Sequence, residues 1–159
     1  MPIVLWRVDE RLIHGQVVLG WGSQLRPDRY LVVDDELAGS EWEQELYRLG
    51  AGGADVVFAG VESARATFPE WRDADQRSIL LVRDVATLGR FARGGVLRGL
   101  SVNLGGVHHG AGRREILTYL HLSDEDSETL ASLVDEGVEI SAQDLPDAPR
   151  VSSKTLLGA

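Results

Sequence analysis

The sequence predicts an α/β protein with a doubly wound, mostly parallel sheet of six to seven strands and helices on both faces. Three observations predict this class. Short apolar runs alternate with longer amphipathic segments along the chain, as in strand–helix repeats joined by right-handed crossovers. Most of the apolar runs are continuous rather than alternating, which indicates strands that are covered on both faces. The length of 159 residues is that of one domain, so we expect a single domain over residues 1–159.

Six segments are predicted as strands of this sheet. Each is a short apolar run bounded by charged residues or glycine. They are Ile3–Trp6, Tyr30–Asp34, Ala54–Ala59, Ser78–Val82, Leu100–Leu104 and Val138–Ala142. A further apolar stretch, Glu115–Leu122, follows a glycine-rich loop and is predicted as an edge strand.

Five amphipathic segments between the strands are predicted as helices. Two of them begin with the pattern of a capping box, in which Ser40 is followed by Glu43 and Ser123 by Asp126. The five segments are Gly15–Gln24, Ser40–Leu49, Val61–Phe68, Val85–Ala92 and Ser123–Asp135. The tail is polar, and a short helix is predicted at Ser153–Leu157.

The charge and composition exclude several classes of protein. The net charge is −9, from 25 acidic and 16 basic residues, and nine of the acidic residues lie between Ser123 and Asp147. An acidic chain is unsuited to nucleic acid, which is bound by basic surfaces. The chain has no cysteine, so it has no disulfide, thiolate metal site or cysteine nucleophile. Since no apolar run approaches about 18 residues and the N-terminus lacks the pattern of a signal peptide, we expect a soluble cytoplasmic protein.

The segment between the first strand and the first helix predicts a phosphate site. Residues 7–17 read RVDERLIHGQV, with two arginines, two carboxylates and a histidine in eight residues. Ligands of open α/β sheets bind beyond the carboxyl ends of the strands, often at a helix N-terminus. Guanidinium groups match phosphate oxygens in forked geometry. The loop therefore favours a phosphate, which is either a bound ligand or a group carried on the protein.

His14 favours a phosphate carried on the protein. A histidine must be neutral to act as a nucleophile, and its ordinary pKa allows the neutral form to exist near pH 7. Once phosphorylated, it would carry close to two negative charges, which Arg7, Arg11 and the helix N-terminus would stabilise. Asp9 or Glu10 would accept the other ring N–H and fix the tautomer, or would position the arginines. The other interpretation is that His14 is an ordinary polar loop residue.

A second loop, residues 103–114, follows the predicted strand that ends at Leu104. It contains four glycines, Asn103 and two arginines, which let backbone and charge approach an anion. If this loop lies beside the first one, Gly105 and Gly106 would form the other wall of the phosphate pocket. The alternative is a flexible surface loop.

The histidines of the second loop have three interpretations. His108 or His109 contacts the phosphate or a partner, or is merely exposed, or shares a zinc ion with His14. Adjacent histidines rarely ligate one metal well and no cysteine is available, so we expect neither a metal nor a cofactor. His121 lies in an apolar stretch and is interpreted as structural.

The first loop resembles the phosphorylation-site signature of one family: the IIB components of the mannose/fructose/sorbose family of the bacterial phosphoenolpyruvate-dependent sugar phosphotransferase system. The family pattern is R-[IV]-D-[DE]-R-L-I-H-G-Q-V, and eleven consecutive positions fit it. Trp21 lies where the family commonly has tryptophan. Shorter segments at Val33–Ala38, Ser101–Gly106 and Gly137–Ile140 are also similar, whereas the pair His108 and His109 departs from the pattern.

The resemblance implies a phosphoryl carrier. His14 would accept a phosphoryl group from phosphohistidine on a IIA partner and pass it to a sugar held by the IIC/IID membrane permease. The residues implied to bind the phosphate are Arg7, Arg11, Gly15, Gln16, Gly105 and Gly106, and the supporting residues are Asp9, Glu10, Asn103 and His108. The alternative is a regulatory phosphoprotein that uses the same loop without sugar transport. The sequence leaves open the sugar, the existence of a permease and the oligomeric state.

Overall fold

The computed structural model describes residues 2–158 and contains nine strands within them. They are β1 (Ile3–Val8), β2 (Arg29–Val33), β3 (Asp55–Ala59), β4 (Ser78–Val82), β5 (Ser101–Leu104), β6 (Arg113–Leu117), β7 (Leu120–Ser123), β8 (Glu139–Ala142) and β9 (Val151–Ser152). Seven of them form one sheet in the order β3-β2-β4-β1-β5-β8-β9, and β6 pairs with β7. Neighbours in the large sheet are parallel except β9, which is antiparallel to β8.

This topology confirms the predicted mostly parallel sheet, but the prediction of a single edge strand over Glu115–Leu122 was wrong. That segment spans two antiparallel strands, β6 and β7, which form a separate hairpin. A two-residue turn at 118–119 interrupts the apolar stretch, and Leu117 pairs with Leu120 across it. The edge of the large sheet is formed instead by β9, which is two residues long.

The described part of the chain contains seven helices. Helix α1 begins as a π-helix over Gln16–Trp21 and continues as an α-helix over Gly22–Leu25. The others are α2 (Asp35–Ala38), α3 (Glu41–Leu49), α4 (Val61–Asp73), α5 (Val85–Phe91), α6 (Asp124–Asp135) and α7 (Ser153–Leu157), and a 3₁₀ turn at Arg93–Gly95 follows α5. All the predicted helices are present, including the short one in the tail.

Helix α2 was not predicted, and two of the predicted helices differ in detail. Helix α4 continues past Phe68 through Pro69, because the buried Trp71 anchors its last turn to the core. Ser40 makes no side-chain cap for α3, and the side chain of Gln44 binds the end of α2 instead. The capping box at the start of α6 is formed as predicted.

The sheet buries apolar side chains on both faces, as the continuous apolar runs indicated. On one face Leu80 packs in a cluster with Phe68 of α4 and Phe91 of α5. On the other face Ile79 packs in a second cluster with Val17 of α1. Among the helices of residues 2–158, none combines the length and the apolar character that a bilayer crossing requires.

The strand order creates a crevice at the carboxyl ends of two neighbouring strands. β1 lies between β4 and β5 in the sheet. After β1 the chain continues towards β2, and after β5 it continues towards β8, on the opposite side of the sheet. Neighbouring strands whose connections diverge leave a gap above their ends, where α/β proteins bind ligands. The two loops singled out in the sequence begin at this gap.

Candidate functional site

Arg7 is a buried cation at the centre of this gap. Its side chain is 0% exposed, and it is the register partner of Asn103 on β5. The guanidinium donates from Nε to Asp9 Oδ2 at 3.2 Å and from Nη1 to Asn103 Oδ1. It also donates to the backbone carbonyls of Gln143 at 2.8 Å and Asp144 at 3.0 Å. Burial lowers the pKa of Arg7, although the neighbouring Asp9 carboxylate opposes this effect.

Two further residues enclose the guanidinium of Arg7. The indole ring of Trp21 lies over it, with Cζ 5.2 Å from the ring centroid, and the indole N–H donates to the Asp144 carbonyl at 3.1 Å. Gly105 also lies against the guanidinium of Arg7, and a Cβ at this position would overlap it. The guanidinium of Arg7 is therefore not free to contact a ligand. Arg7 influences the site through its hydrogen bonds to Asp9 and Asn103. Gly105 gives room to the Arg7 guanidinium, and Trp21 covers it.

Asp9 organises the turn that follows β1. The carboxylate is buried, and Oδ1 accepts from the backbone N–H of Arg11 at 3.1 Å. The Asp9 carbonyl accepts from the N–H of Leu12 at 2.9 Å. Leu12 adopts the left-handed backbone conformation, with φ of 55°, while its side chain is fully buried. Such a conformation is unfavourable for leucine, so the burial and the Asp9 contacts hold it in place.

This turn presents His14. Its Nδ1 lies 3.0 Å from the Leu12 carbonyl oxygen and 3.9 Å from Asp9 Oδ1. A ring nitrogen that faces a carbonyl oxygen carries the hydrogen, so in the neutral form of the ring Nε2 is the nitrogen without a hydrogen. The side chain is 7% exposed. The Leu12 carbonyl, rather than Asp9 or Glu10, thus sets the tautomer, and Asp9 takes the other role considered for it, positioning Arg7.

Arg11, Gly15 and Gln16 form an open rim beside His14. All three are exposed. Among residues 2–158, no carboxylate lies within 4 Å of the Arg11 guanidinium. Gly15 precedes α1 in helical conformation, with open space where a Cβ would be, and Gln16 is the first residue of the helix. The rim thus joins a cation to the N-terminus of α1, whose N–H groups favour an anion.

Glu10 joins the two loops. Its backbone N–H donates to the Gly106 carbonyl at 2.8 Å. Its Oε2 accepts from the backbone N–H of His108 at 2.9 Å and lies 2.5 Å from the ring Nδ1 of the same residue. Oε1 lies 3.6 Å from Arg113 Nη1. Burial would raise the pKa of Glu10, but the hydrogen bonds from His108 outweigh it, and the net effect lowers that pKa.

The second loop therefore lies beside the first, as its predicted role requires. Its two histidines have different surroundings. His108 is exposed and bound to Glu10, whereas the His109 ring packs edge-on against His121 at 5.9 Å between centroids. The half-buried His121 has its Nδ1 3.3 Å from the Val107 carbonyl. Within residues 2–158, no three His, Asp or Glu side chains are arranged to hold a metal ion.

Gln143 and Asp144 are parts of the site that the sequence reasoning did not identify. They follow β8, whose carboxyl end lies beside that of β5, and they hold Arg7 through backbone carbonyls. A carbonyl acceptor leaves no side-chain signature. The sequence feature that could have identified these two residues is their position directly after a predicted strand.

The chain was compared with known proteins. The family model described as "PTS system sorbose subfamily IIB component" matches residues 3–159. The N-acetylgalactosamine-specific phosphotransferase enzyme IIB component 1 of Escherichia coli K12 is 30% identical over 147 residues, which cover 91% of each chain. The solved structure of manxB from Thermoanaerobacter tengcongensis has a TM-score of 0.85 at 31% identity, covering 98% of this chain and 95% of that one. The IIBSor domain of the sorbose permease from Klebsiella pneumoniae has a TM-score of 0.86 at 25% identity, covering 100% and 98%.

Proposed function

Since the chain belongs to the sorbose subfamily of IIB components of the phosphotransferase system, a phosphotransferase family with a role in sugar uptake, we propose that it relays a phosphoryl group through His14. The group arrives from phosphohistidine on a IIA protein and leaves to a sugar bound by a IIC/IID permease. We place this relay in the cytoplasm and in one domain spanning residues 1–159.

One observation carries the proposal: the Leu12 carbonyl holds Nδ1 of His14 in a turn whose neighbouring residues are exposed and include a cation. Arg11 precedes His14 in this turn, and Gly15 and the start of α1 follow it. A neutral imidazole with one unprotonated nitrogen is the nucleophile that phosphoryl acceptance needs. Arg11, Gly15 and Gln16 would bind the oxygens of the transferred group.

The transfer exchanges one N–P bond for another. An unprotonated nitrogen of His14 attacks phosphorus while the N–P bond to the donor histidine breaks, and the donor ring keeps the electron pair. The transition state is loose, so the chain contributes mainly alignment and positive charge. In the second step, a sugar hydroxyl attacks phosphorus and gives its proton to a base or to solvent. The N–P bond breaks with its electron pair returning to the ring, and His14, whose other nitrogen keeps its hydrogen, leaves as neutral imidazole.

The buried pair of Arg7 and Asp9 holds the backbone of the rim in place. Arg7 donates hydrogen bonds to Asp9, to Asn103 and to the two backbone carbonyls, so its contribution is to fix Asp9. Asp9 in turn fixes the Arg11 backbone. Gly105 makes space for Arg7, and Gly106 and His108 hold Glu10, so these residues set the relative position of the two loops.

A relay assay tests the proposal. The full chain is incubated with phosphoenolpyruvate, the general phosphotransferase proteins and a IIA protein, and then with permease-containing membranes and candidate sugars. We expect an acid-labile, base-stable phosphoryl adduct that is discharged to sugar phosphate only when the permease and its sugar are present. Membranes that lack the permease are the control. Absence of the adduct contradicts the relay, and an adduct that no permease and sugar discharge favours the regulatory alternative.

A further inference from the structure

Helix α3 exposes its apolar side chains. Trp42, Leu46 and Leu49 follow each other at helical spacing, so they lie on one face of the helix. These residues are 69%, 58% and 83% exposed. An amphipathic helix ordinarily buries its apolar face against the core, yet no residue of α3 is buried. Residues 2–158 therefore leave the apolar face of α3 largely uncovered.

Part of this face borders a groove next to the His14 turn. The apolar residues that line the groove are Ile13, Leu37, Trp42, Leu46 and Tyr47. Ile13 directly precedes His14 in the chain, so a molecule that occupies the groove lies beside the turn that presents the imidazole. Exposed apolar patches mark interaction sites, and tryptophan is enriched where proteins bind each other. The groove therefore has the features of a protein-docking surface that adjoins the candidate site.

The lining of this groove has a net negative charge. Glu36 and Glu43 line it, and no basic side chain of residues 2–158 lies within 4 Å of either carboxylate. Arg83 lines the groove as well, but its guanidinium is paired with Asp34, with 3.1 Å between Nε and Oδ1. Opposite charges across an interface favour association. The groove therefore fits a partner segment in which an apolar side chain is flanked by basic ones.

The cytoplasmic loops of a membrane permease have this chemistry. On the cytoplasmic side, the loops of membrane proteins carry an excess of lysine and arginine. No such rule fixes the surface charge of a water-soluble phosphoryl donor. The relay through His14 also requires that the phosphorylated chain meet the permease, because the phosphoryl group leaves to a sugar that the permease holds.

We propose, on the basis of the relay through His14, that the groove docks a basic cytoplasmic loop of the IIC/IID permease. An apolar side chain of that loop packs against Trp42 and Leu46, and its basic side chains pair with Glu36 and Glu43. Because the groove adjoins the His14 turn, the docked loop holds the phosphoryl group against the permease for the second step of the relay.

The test measures the two steps of the relay separately. Wild type, Trp42→Ala and Leu46→Ala are phosphorylated from a IIA protein, and sugar phosphate formation on permease-containing membranes is then measured against the concentration of phosphorylated chain. For both variants, we expect the concentration that gives half the maximal rate to rise about tenfold. The maximal rate and the rate of acceptance from the IIA protein should stay within about twofold of wild type. The control is Leu19→Ala, because Leu19 is 74% exposed and lines a different groove.

The outcomes separate the docking site from the relay itself. Since Trp42 and Leu46 are exposed, both variants should keep the urea midpoint of wild type. If wild type discharges to the sugar and Trp42→Ala does so with the same half-maximal concentration, the docking site is overturned and the relay stands. Slower acceptance of Trp42→Ala from the IIA protein would assign the groove to the donor and overturn the permease as its occupant. A wild-type chain that no permease and sugar discharge would contradict the relay.

Salt and charge variants test the electrostatic part of the docking. Because salt screens exposed charges, raising KCl from about 50 to about 300 mM should raise the half-maximal concentration of wild type severalfold. The double variant Glu36→Gln/Glu43→Gln should have a half-maximal concentration about threefold higher at low salt and should respond less to KCl. The matched control is Glu125→Gln/Glu128→Gln, because both of these glutamates are exposed on α6 and lie outside the groove. Equal salt responses of the two double variants would show that the groove carboxylates do not meet the permease and would overturn their assignment.

Discussion

The guanidinium of Arg7 occupies the space that a side chain at Gly105 would need. Gly105 is directly above the paired part of β1 and β5, where its N–H donates to the Val8 carbonyl at 2.7 Å. A Cβ at residue 105 would overlap Nε, Cζ and Nη2 of Arg7. The strand that carries the cation and the neighbouring strand therefore depend on each other: β1 supplies the arginine and the end of β5 supplies the space.

Gly105→Ala should destabilise the protein strongly. The added methyl group displaces the guanidinium from Asp9 and Asn103, and a buried ion pair that loses one partner costs about 3–5 kcal/mol. Urea unfolding followed by tryptophan fluorescence measures the loss. Gly106→Ala is the matched control, because its nearest contact would be 3.8 Å from Asp9 Oδ1. Similar free energies of unfolding for the two variants would contradict the packing role of Gly105.

Asp9→Asn should also destabilise the protein, by about 3 kcal/mol or more, because it leaves the buried Arg7 cation without a carboxylate. A double-mutant cycle with Arg7→Gln should give a coupling free energy of about 1–3 kcal/mol. Glu62→Gln provides the comparison, since Glu62 pairs with Arg93 on the exposed surface, where pairs contribute at most about 1 kcal/mol. A coupling near zero would show that Arg7 and Asp9 act independently.

Glu10→Gln should lower stability in a pH-dependent way. The folded state lowers the pKa of Glu10, so its carboxylate stabilises the fold above the ordinary carboxyl pKa and loses that effect as the pH falls through the lowered value. The difference from wild type should be at most about 1 kcal/mol at pH 7, because the pair with His108 is partly exposed. Urea unfolding at pH 7 and at about pH 3 should show that the difference in unfolding free energy between Glu10→Gln and wild type becomes smaller in acid. The control variant Glu128→Gln, which changes an exposed residue, should show no such pH-dependent difference. A difference that becomes larger in acid would contradict the assigned sign.

Arg11→Ala should slow phosphoryl acceptance without unfolding the protein. Its exposed guanidinium contributes charge to the rim rather than packing, and removing one such group should reduce the rate about tenfold or more. The free energy of unfolding should change by less than about 0.5 kcal/mol, as for most surface substitutions. Rapid-quench measurement of acceptance from a phosphorylated IIA protein checks the rate, with Arg114→Ala as the control. A rate within about twofold of wild type would remove Arg11 from the site.

Much of the fold follows from the sequence, because parallel strands covered on both faces read as continuous apolar runs. This signal located β1 to β5 and β8 to within a few residues. It failed at the β6–β7 hairpin, where apolar residues continue through the turn at 118–119. It also failed at Pro69, which is a stop signal by itself but lies in a helix that the burial of Trp71 prolongs.

The sequence predicted that the two loops lie side by side, but it did not predict the contacts within the candidate site. The carboxyl ends of parallel strands lie at the same edge of a sheet, and this rule correctly predicted that the two loops lie side by side. The burial of Arg7 was not visible, because it depends on register with Asn103 and on carbonyls that lie 136 and 137 positions away in the chain. The role of Leu12 was hidden for a similar reason, since its carbonyl, not its side chain, contacts His14.

The measurement that tests the central claim most directly is the location of the phosphoryl group. The full chain and its His14→Ala variant are labelled from a phosphorylated IIA protein, with His109→Ala as the control for another loop histidine. We predict that wild type and His109→Ala take up one phosphoryl group per chain and that His14→Ala takes up none while its unfolding free energy shows it to be folded. Labelling of His14→Ala to the level of wild type would contradict the account.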